Sequence, residues 1–443
     1  MKKALVATIL AFTMLATTAC NAGAGTASSD PAGQPSSSAA TESEGKGEPK
    51  TLTLWTTNKD TAIVEIMEKA AADFEAETNV KVEFTFLEND PYKTKLKTVM
   101  GSGEAPDMFH SWGGGWLQQF VDEGQVLDIT DKVADFKDAL PEAVWGLNSF
   151  DGKIYGVPNS LAGSALFYNK AMFDKLGLTA PTTWSEMENV ATVLKDNGII
   201  PFALGNKSKW PGAINYIYLS LRLGGGEVFQ DALARNGKHT FEDASYVKAG
   251  QMIQDMVDKG WFPEGANGIN HDTGGSRMLF YTEKAGMMLM TTGLIANTKN
   301  ENKEFYDNNL DLVAFPTIEG GEGKADEVLC GNNAYSISTN CKYPDEAVAF
   351  LKYFSTNVEI NTRLANEGGL LVAAKGVEIS DPKLKKAIEI QTSSSYMQNY
   401  YDQALPTELG QLSLDNSQAL FGKAMTPEES AKSMEAKAAE ILK

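Results

Sequence analysis

Thr51-Leu52-Thr53-Leu54-Trp55 alternates with the period of a β-strand, and the residues after it decide the fold. Ile63, Ile66, Met67, Ala70 and Phe74 recur at helical spacing, and Val80, Val82, Phe84 and Phe86 then alternate again. Strand, helix, strand, with a helix long enough for a right-handed crossover, predicts a parallel sheet with helices on its faces. Further along, Ala105-Pro106-Asp107-Met108-Phe109 reads as a short strand, Trp116 to Glu123 as a helix, and Gly286 to Met290 as a buried strand. The fold class is α/β, and no internal repeat is present.

Helix punctuation agrees. Thr183 and Glu186 have capping-box spacing before a helix running to about Asn197, with Gly198 ending it. Ligands of open α/β sheets sit beyond the carboxyl ends of strands, which points to the loops after Trp55 and Phe109.

The N-terminus carries a different message. Met1-Lys2-Lys3 is basic, Ala4 to Ala16 is apolar, and Thr17-Thr18-Ala19-Cys20 follows. This is a secretory signal over residues 1–19. The apolar run falls short of the ~20 residues a spanning helix needs, so a retained anchor is the weaker reading. A cysteine behind small residues resembles a bacterial lipobox, with Cys20 as the lipidated first residue of the mature chain; a chance cysteine near an ordinary cleavage site is the bland alternative. Residues 20–50 are dominated by Gly, Ala, Ser, Pro and Glu and cannot bury enough surface to fold. As a flexible tether they would span roughly 30 Å.

About 390 residues remain from Thr51, more than one core usually accommodates, so two lobes are expected. The formal charge is -19, and loss of the signal with Lys2 and Lys3 takes it to -21. Such an acidic chain argues against nucleic acid and against a basic membrane-docking face. Cys330 and Cys341 flank an expected strand, Ala334 to Ser338, which separates them too widely for a bridge unless the chain turns back; two buried thiols are expected. His110, His239 and His271 have no metal-type spacing, and neither a metal nor any other cofactor is expected.

Leu52-Thr53-Leu54-Trp55, Ala105 to Phe109, Gly152-Lys153-Ile154-Tyr155-Gly156-Val157-Pro158, Leu166-Phe167-Tyr168-Asn169-Lys170, Pro181-Thr182-Thr183-Trp184, and Gly331 leading into Ile337-Ser338 stand in an order that covers nearly all of residues 52–442. Taken together they resemble the maltose-binding-protein-like family of extracellular solute-binding proteins of carbohydrate ABC transporters. The resemblance implies two α/β lobes joined by three crossings, near Ser160 to Gly163, Cys330 to Tyr335 and Asp381 to Lys383. The N-terminal lobe would be 51–161 plus 335–381, and the C-terminal lobe 162–330 plus 382–443. It further implies closure on a carbohydrate between the lobes, permease subunits in the membrane as partners, attachment to the outer face of the cytoplasmic membrane through lipid on Cys20, a monomer, and no catalysis.

Sugars present C–H faces flanked by hydroxyls, so their sites combine flat aromatic surfaces with paired polar groups. By position in the family pattern the first loop offers Asn58, Lys59 and Asp60, which could equally be a solvated turn. In His110-Ser111-Trp112-Gly113-Gly114-Gly115-Trp116, Trp112 is the expected stacking ring, removable without harm to the fold, while Gly113 and Gly114 would let backbone amides approach the ligand. In the second lobe Trp210 is an expected platform; Asn270 and Asp272 are hydroxyl acceptors or a helix cap. Asn332 and Asn333 would bond the sugar or the hinge, and Tyr401 and Asp402 complete the set. One departure stands out: Thr291-Thr292-Gly293-Leu294 lacks the tryptophan that related proteins often carry there.

Two rivals carry a different function. A secreted glycosidase would need paired carboxylates, and Gly-x-Ser-x-Gly is missing. A binding protein of the same architecture could instead present sugar to a sensor kinase.

Overall fold

The structure, a computed structural model, describes residues 50–442; the signal segment, Cys20 and the tether up to residue 49 lie outside the described residues. β1 (Lys50–Thr56) buries Leu52 and Leu54 completely, as its alternation predicts. The helix Thr61–Thr78 turns Ile63, Ile66, Met67, Ala70 and Phe74 inward and ends at Asn79, whose φ of 60° stops it. β2 (Val80–Phe86) returns parallel to β1, and β3 (Met108–Ser111) adds on β1's other side, also parallel. β3 begins three residues later than Ala105. Pro106 has no N–H to give, and it is the Asp107 carboxylate, not backbone, that accepts from the Thr53 amide at 2.8 Å.

β4 (Ser149–Phe150) and β5 (Lys153–Ile154) form a separate ribbon. The thirteen-residue β6 (Val157–Asn169) is followed by β7 (Ile200–Phe202), β8 (Ala285–Thr291), β9 (Leu310–Val313), β10 (Glu327–Ile337), β11 (Leu371–Val372) and β12 (Tyr396–Gln398). The main sheet runs β2-β1-β3-β10-β6-β8-β7. It is mixed: β10 is antiparallel to β3 and β6, while β7 and β8 are parallel.

β6 and β10 tie the molecule together. Residues 157–163 of β6 pair with β10, and residues 164–169 lie between β8 and β9. Apolar side chains divide accordingly. One cluster draws on Leu52 to Val157 and Tyr335 to Ala374; the larger draws on Ala165 to Leu329 and Leu384 to Ala438, with Ala365 and Leu371. A small third cluster gathers Tyr92, Phe109, Trp112, Trp116 and Phe120 beside the first. Asp381 caps the helix Pro382–Thr392 and accepts from Tyr306 Oη at 2.6 Å.

The Thr183–Glu186 capping box forms and starts the helix Trp184–Asp196. Both Cys330 and Cys341 are free thiols; Cys330 is buried, but Cys341 is only half-buried, and burial pushes each up to about 12. No helix among the described residues is long and apolar enough to cross a membrane.

Candidate functional site

A cleft of about 630 Å³ opens between the two clusters, at the ends of β1 and β3. That volume lies within the range of small-molecule sites. On the first wall Asn58 Nδ2 donates to Tyr335 Oη at 3.3 Å and Lys59 pairs with Glu88 at 2.6 Å. Asp60 caps the helix Thr61–Thr78 and also accepts across the cleft from Asn297 Nδ2 at 3.4 Å and Asn300 Nδ2 at 3.2 Å.

Behind them His110 is clamped, Nδ1 2.9 Å from Thr57 Oγ1 and Nε2 3.2 Å from Asn333 Oδ1. Burial lowers its pKa to about 4, so the ring is neutral, with Thr57 donating to one nitrogen and the other donating to Asn333. Trp112 lies 4.7 Å from the His110 ring and is wedged edge-on by Tyr92 and Trp116; only 6% of it is exposed, and the Lys93 ammonium sits 4.8 Å over its ring. It therefore lines the cleft as one edge of a packed cluster, and its removal would disturb the fold.

The second wall repeats the pairing of indole and imidazole. Trp210 opens the helix Trp210–Gly224 and meets His271 edge-on at 5.0 Å. Its Nε1 donates to Asp272 Oδ1 at 3.2 Å, and Ser208 donates to the other oxygen of the same carboxylate. His271 contacts Ser276 Oγ at 2.7 Å, and burial, with Arg277 nearby, lowers its pKa to about 3. Arg277 grips Glu301 through two bonds of 2.8 and 2.7 Å. At the base Tyr400 Oη donates to Ala162 O at 2.8 Å and accepts from Ser164, and Asp402 pairs with Lys93 at 2.6 Å.

Asn58, Lys59, Asp60, Trp112, Trp210, Asp272, Asn333 and Asp402 thus line the cleft. Five other expected residues do not. Asn332 alternates with Asn333 along β10, so its side chain faces the opposite side, 1% exposed and without a hydrogen-bond partner. Asn270 is spent locally, accepting from the Asp272 amide at 2.9 Å. Tyr401 stacks on Phe229 at 4.5 Å inside the larger core, and its neighbour Tyr400 takes the cleft position. Gly113 and Gly114 do have positive φ, 68° and 60°, but protein fills the space their side chains vacate. A Cβ would stand 2.5 Å from Leu147 O at Gly113 and 2.7 Å from Gln403 O at Gly114.

His110, His271, Lys93, Arg277, Glu301, Asn297, Asn300, Tyr400 and Gln403 are cleft residues that sequence reasoning passes over. Only Asn297 and Asn300 carry a sequence signal, three apart on one helix face. Thr291 lines the cleft where the missing tryptophan is noted, and Leu294 is buried. Among the described residues no group of three or more His, Cys, Asp or Glu could hold a metal.

Every cation of the cleft is paired, and acids are in excess. Lys59, Lys93 and Arg277 each hold a carboxylate, and the two remaining acids, Asp60 and Asp272, accept from uncharged donors. The arrangement is suited to holding a neutral, hydroxyl-rich molecule by amides, hydroxyls and ring faces.

A two-bodied α/β frame with its cleft across two shared strands defines a solute-binding class of protein. The chain belongs to the bacterial extracellular solute-binding protein family, which it matches over residues 58–359. The multiple sugar-binding protein of Streptococcus mutans serotype c is 28% identical over 319 residues, 70% of this chain and 72% of that protein. A structure from work on xylan utilization by the thermophilic bacterium Caldanaerobius polysaccharolyticus superposes with a TM-score of 0.81 at 33% identity, covering 87% of this chain and 99% of the other. A chitin oligosaccharide binding protein gives 0.81 at 26% identity, covering 89% and 99%.

Proposed function

We propose that this protein captures a neutral oligosaccharide outside the cell and delivers it to the permease subunits of an ABC importer, without chemistry on the sugar. The observation that carries this reading is the internal cancellation of the cleft's cations, with an indole on each wall and amides between them. A phosphate or uronate would find every cation already engaged, whereas a sugar hydroxyl can both donate to Asp60 or Asp272 and accept from Asn297 or Asn300. Relatives that bind sugars support the same class. The Thr17-Thr18-Ala19-Cys20 run supports lipid attachment at Cys20, with the monomeric body tethered at the outer face of the cytoplasmic membrane.

The test is a thermal-shift screen of the purified protein against neutral oligosaccharides, uronates, phosphorylated sugars, polyamines and amino acids. A ligand at a hundred times its Kd should stabilise the fold by ~2.7 kcal/mol. A response confined to uronates, phosphates or polyamines would overturn the reading. Turnover during prolonged incubation with the bound oligosaccharide would replace binding with hydrolysis, and a membrane-extracted chain whose N-terminal peptide carries no lipid mass on Cys20 would remove the lipid anchor.

A further inference from the structure

Three consecutive glycines stand at 113–115, and positive φ accounts for the first two. Gly115 is different. It lies in the first turn of the helix Gly114–Asp122, outside the positive-φ region, where alanine is the better helix former. What requires glycine there is a neighbour: a Cβ would stand 2.6 Å from Ala404 O, 2.8 Å from Leu405 C and 2.9 Å from Pro406 N. All three are backbone atoms, unable to swing aside as a flexible side chain would. The helix of Gly115 packs with the Trp112 cluster, whereas Tyr401, Leu405 and Leu409 are rooted in the larger core. The contact therefore joins the two bodies backbone to backbone.

The segment pressed against Gly115 also supplies the cleft. Asp402 reaches back to Lys93 at 2.6 Å, and Gln403 lines the cleft, 9% exposed, with its Oε1 unpartnered. We infer that Gly115 is a positioning residue for ligand capture: its missing side chain is the seat on which residues 402–406 dock, and that docking brings Asp402 and Gln403 up to the ligand. Lys93 secures the seat from above through its ion pair. The inference rests on the solute-binding reading for its consequence, but its geometry can be tested without any ligand.

Small-angle scattering of the purified, ligand-free protein is compared for the unchanged chain, Gly115→Ala, and Gly101→Ala as a control, since a Cβ at Gly101 meets nothing within 4 Å. The expected result is a larger radius of gyration for Gly115→Ala alone, with a cooperative melt retained. Xylotriose and chitotriose serve as binding probes, and whichever binds the unchanged chain should bind Gly115→Ala about tenfold more weakly. If neither probe binds the unchanged chain, scattering alone decides the seat, and the oligosaccharide reading stands or falls on the wider thermal-shift screen. Scattering of Gly115→Ala identical to the unchanged chain overturns the inference. Should Gly115→Ala not fold, hydrogen exchange of the ligand-free unchanged chain takes its place: slow exchange across residues 403–405 supports the seat, and exchange as fast as in an open loop overturns it.

Discussion

The two walls of the cleft carry the same pair of rings in different company. On one, Trp112 and His110 belong to an aromatic cluster with Tyr92 and Trp116, where rings hold rings. On the other, Trp210 is partly exposed and fixed by a hydrogen bond to Asp272, with His271 edge-on behind it. The difference teaches that two tryptophans lining one site need not be equivalent. The first is as much a beam of its lobe as a binding surface, while the second is an outer panel held by one polar strut.

The sharpest way to break this contrast is to remove each indole. Trp112→Ala should cost ~3–5 kcal/mol of stability, as truncation of a packed tryptophan does, and also weaken ligand binding tenfold or more. Chemical denaturation and titration calorimetry on the same variant separate the two. A denaturation midpoint equal to that of the unchanged chain would mean that Trp112 is a free platform and that the walls are alike.

What is legible in the sequence follows the same line between local and distant. β1, the helix after it and β2 are visible because period-2 and period-3.6 burial are written into adjacent residues, and the Thr183–Glu186 box because its partners are three apart. The first cleft loop is visible because it follows a strand. Tyr400 and Tyr401 are not separable, since which of two adjacent rings faces the cleft depends on how a four-residue helix is set against the larger core. Asn332 and Asn333 differ only by the phase of β10, which its pairing with β6 fixes. The glycines at 113–115 announce close approach, but not that the approaching group is Leu147 or the 403–406 backbone. Arg277 and Glu301 meet only in the folded chain.

Acid should strike both walls. Each imidazole is held neutral by burial, with a pKa lowered from 6.5 to about 4 at His110 and about 3 at His271. The folded chain then binds fewer protons than the unfolded one below pH 6.5, so stability is complete above that value and falls with pH toward the folded pKa values. The loss by pH 5 is on the order of 2 kcal/mol per histidine, before most carboxylates titrate. Melting temperatures that stay level between pH 7 and 5 would show that neither imidazole is held neutral.

Trp210→Ala should reverse the balance of Trp112→Ala. Because this ring stands at the surface of its lobe, binding should weaken about tenfold, ~1.4 kcal/mol, while the denaturation midpoint moves much less. Asp272→Asn keeps an acceptor for Nε1 and should lie between the unchanged chain and Trp210→Ala in affinity. An affinity loss for Asp272→Asn greater than for Trp210→Ala would make the carboxylate itself, and not the ring it orients, the important contact of that wall.

The smallest effect belongs to the rim. Lys59 and Glu88 form an ion pair with both side chains well exposed, 46% for Lys59 and 37% for Glu88. Water screens such a pair, and holding two long side chains together costs entropy, so its contribution to folding is ~1 kcal/mol or less and fades with salt. Lys59→Met should therefore leave the melt nearly unchanged. It would, however, free Glu88 at the mouth of the cleft and make that mouth more acidic, so a neutral sugar should bind as before while an acidic one is turned away more strongly. A tenfold loss of neutral-sugar affinity in this variant would place Lys59 on the ligand and draw the first wall's working surface out from the Trp112 cluster to the rim.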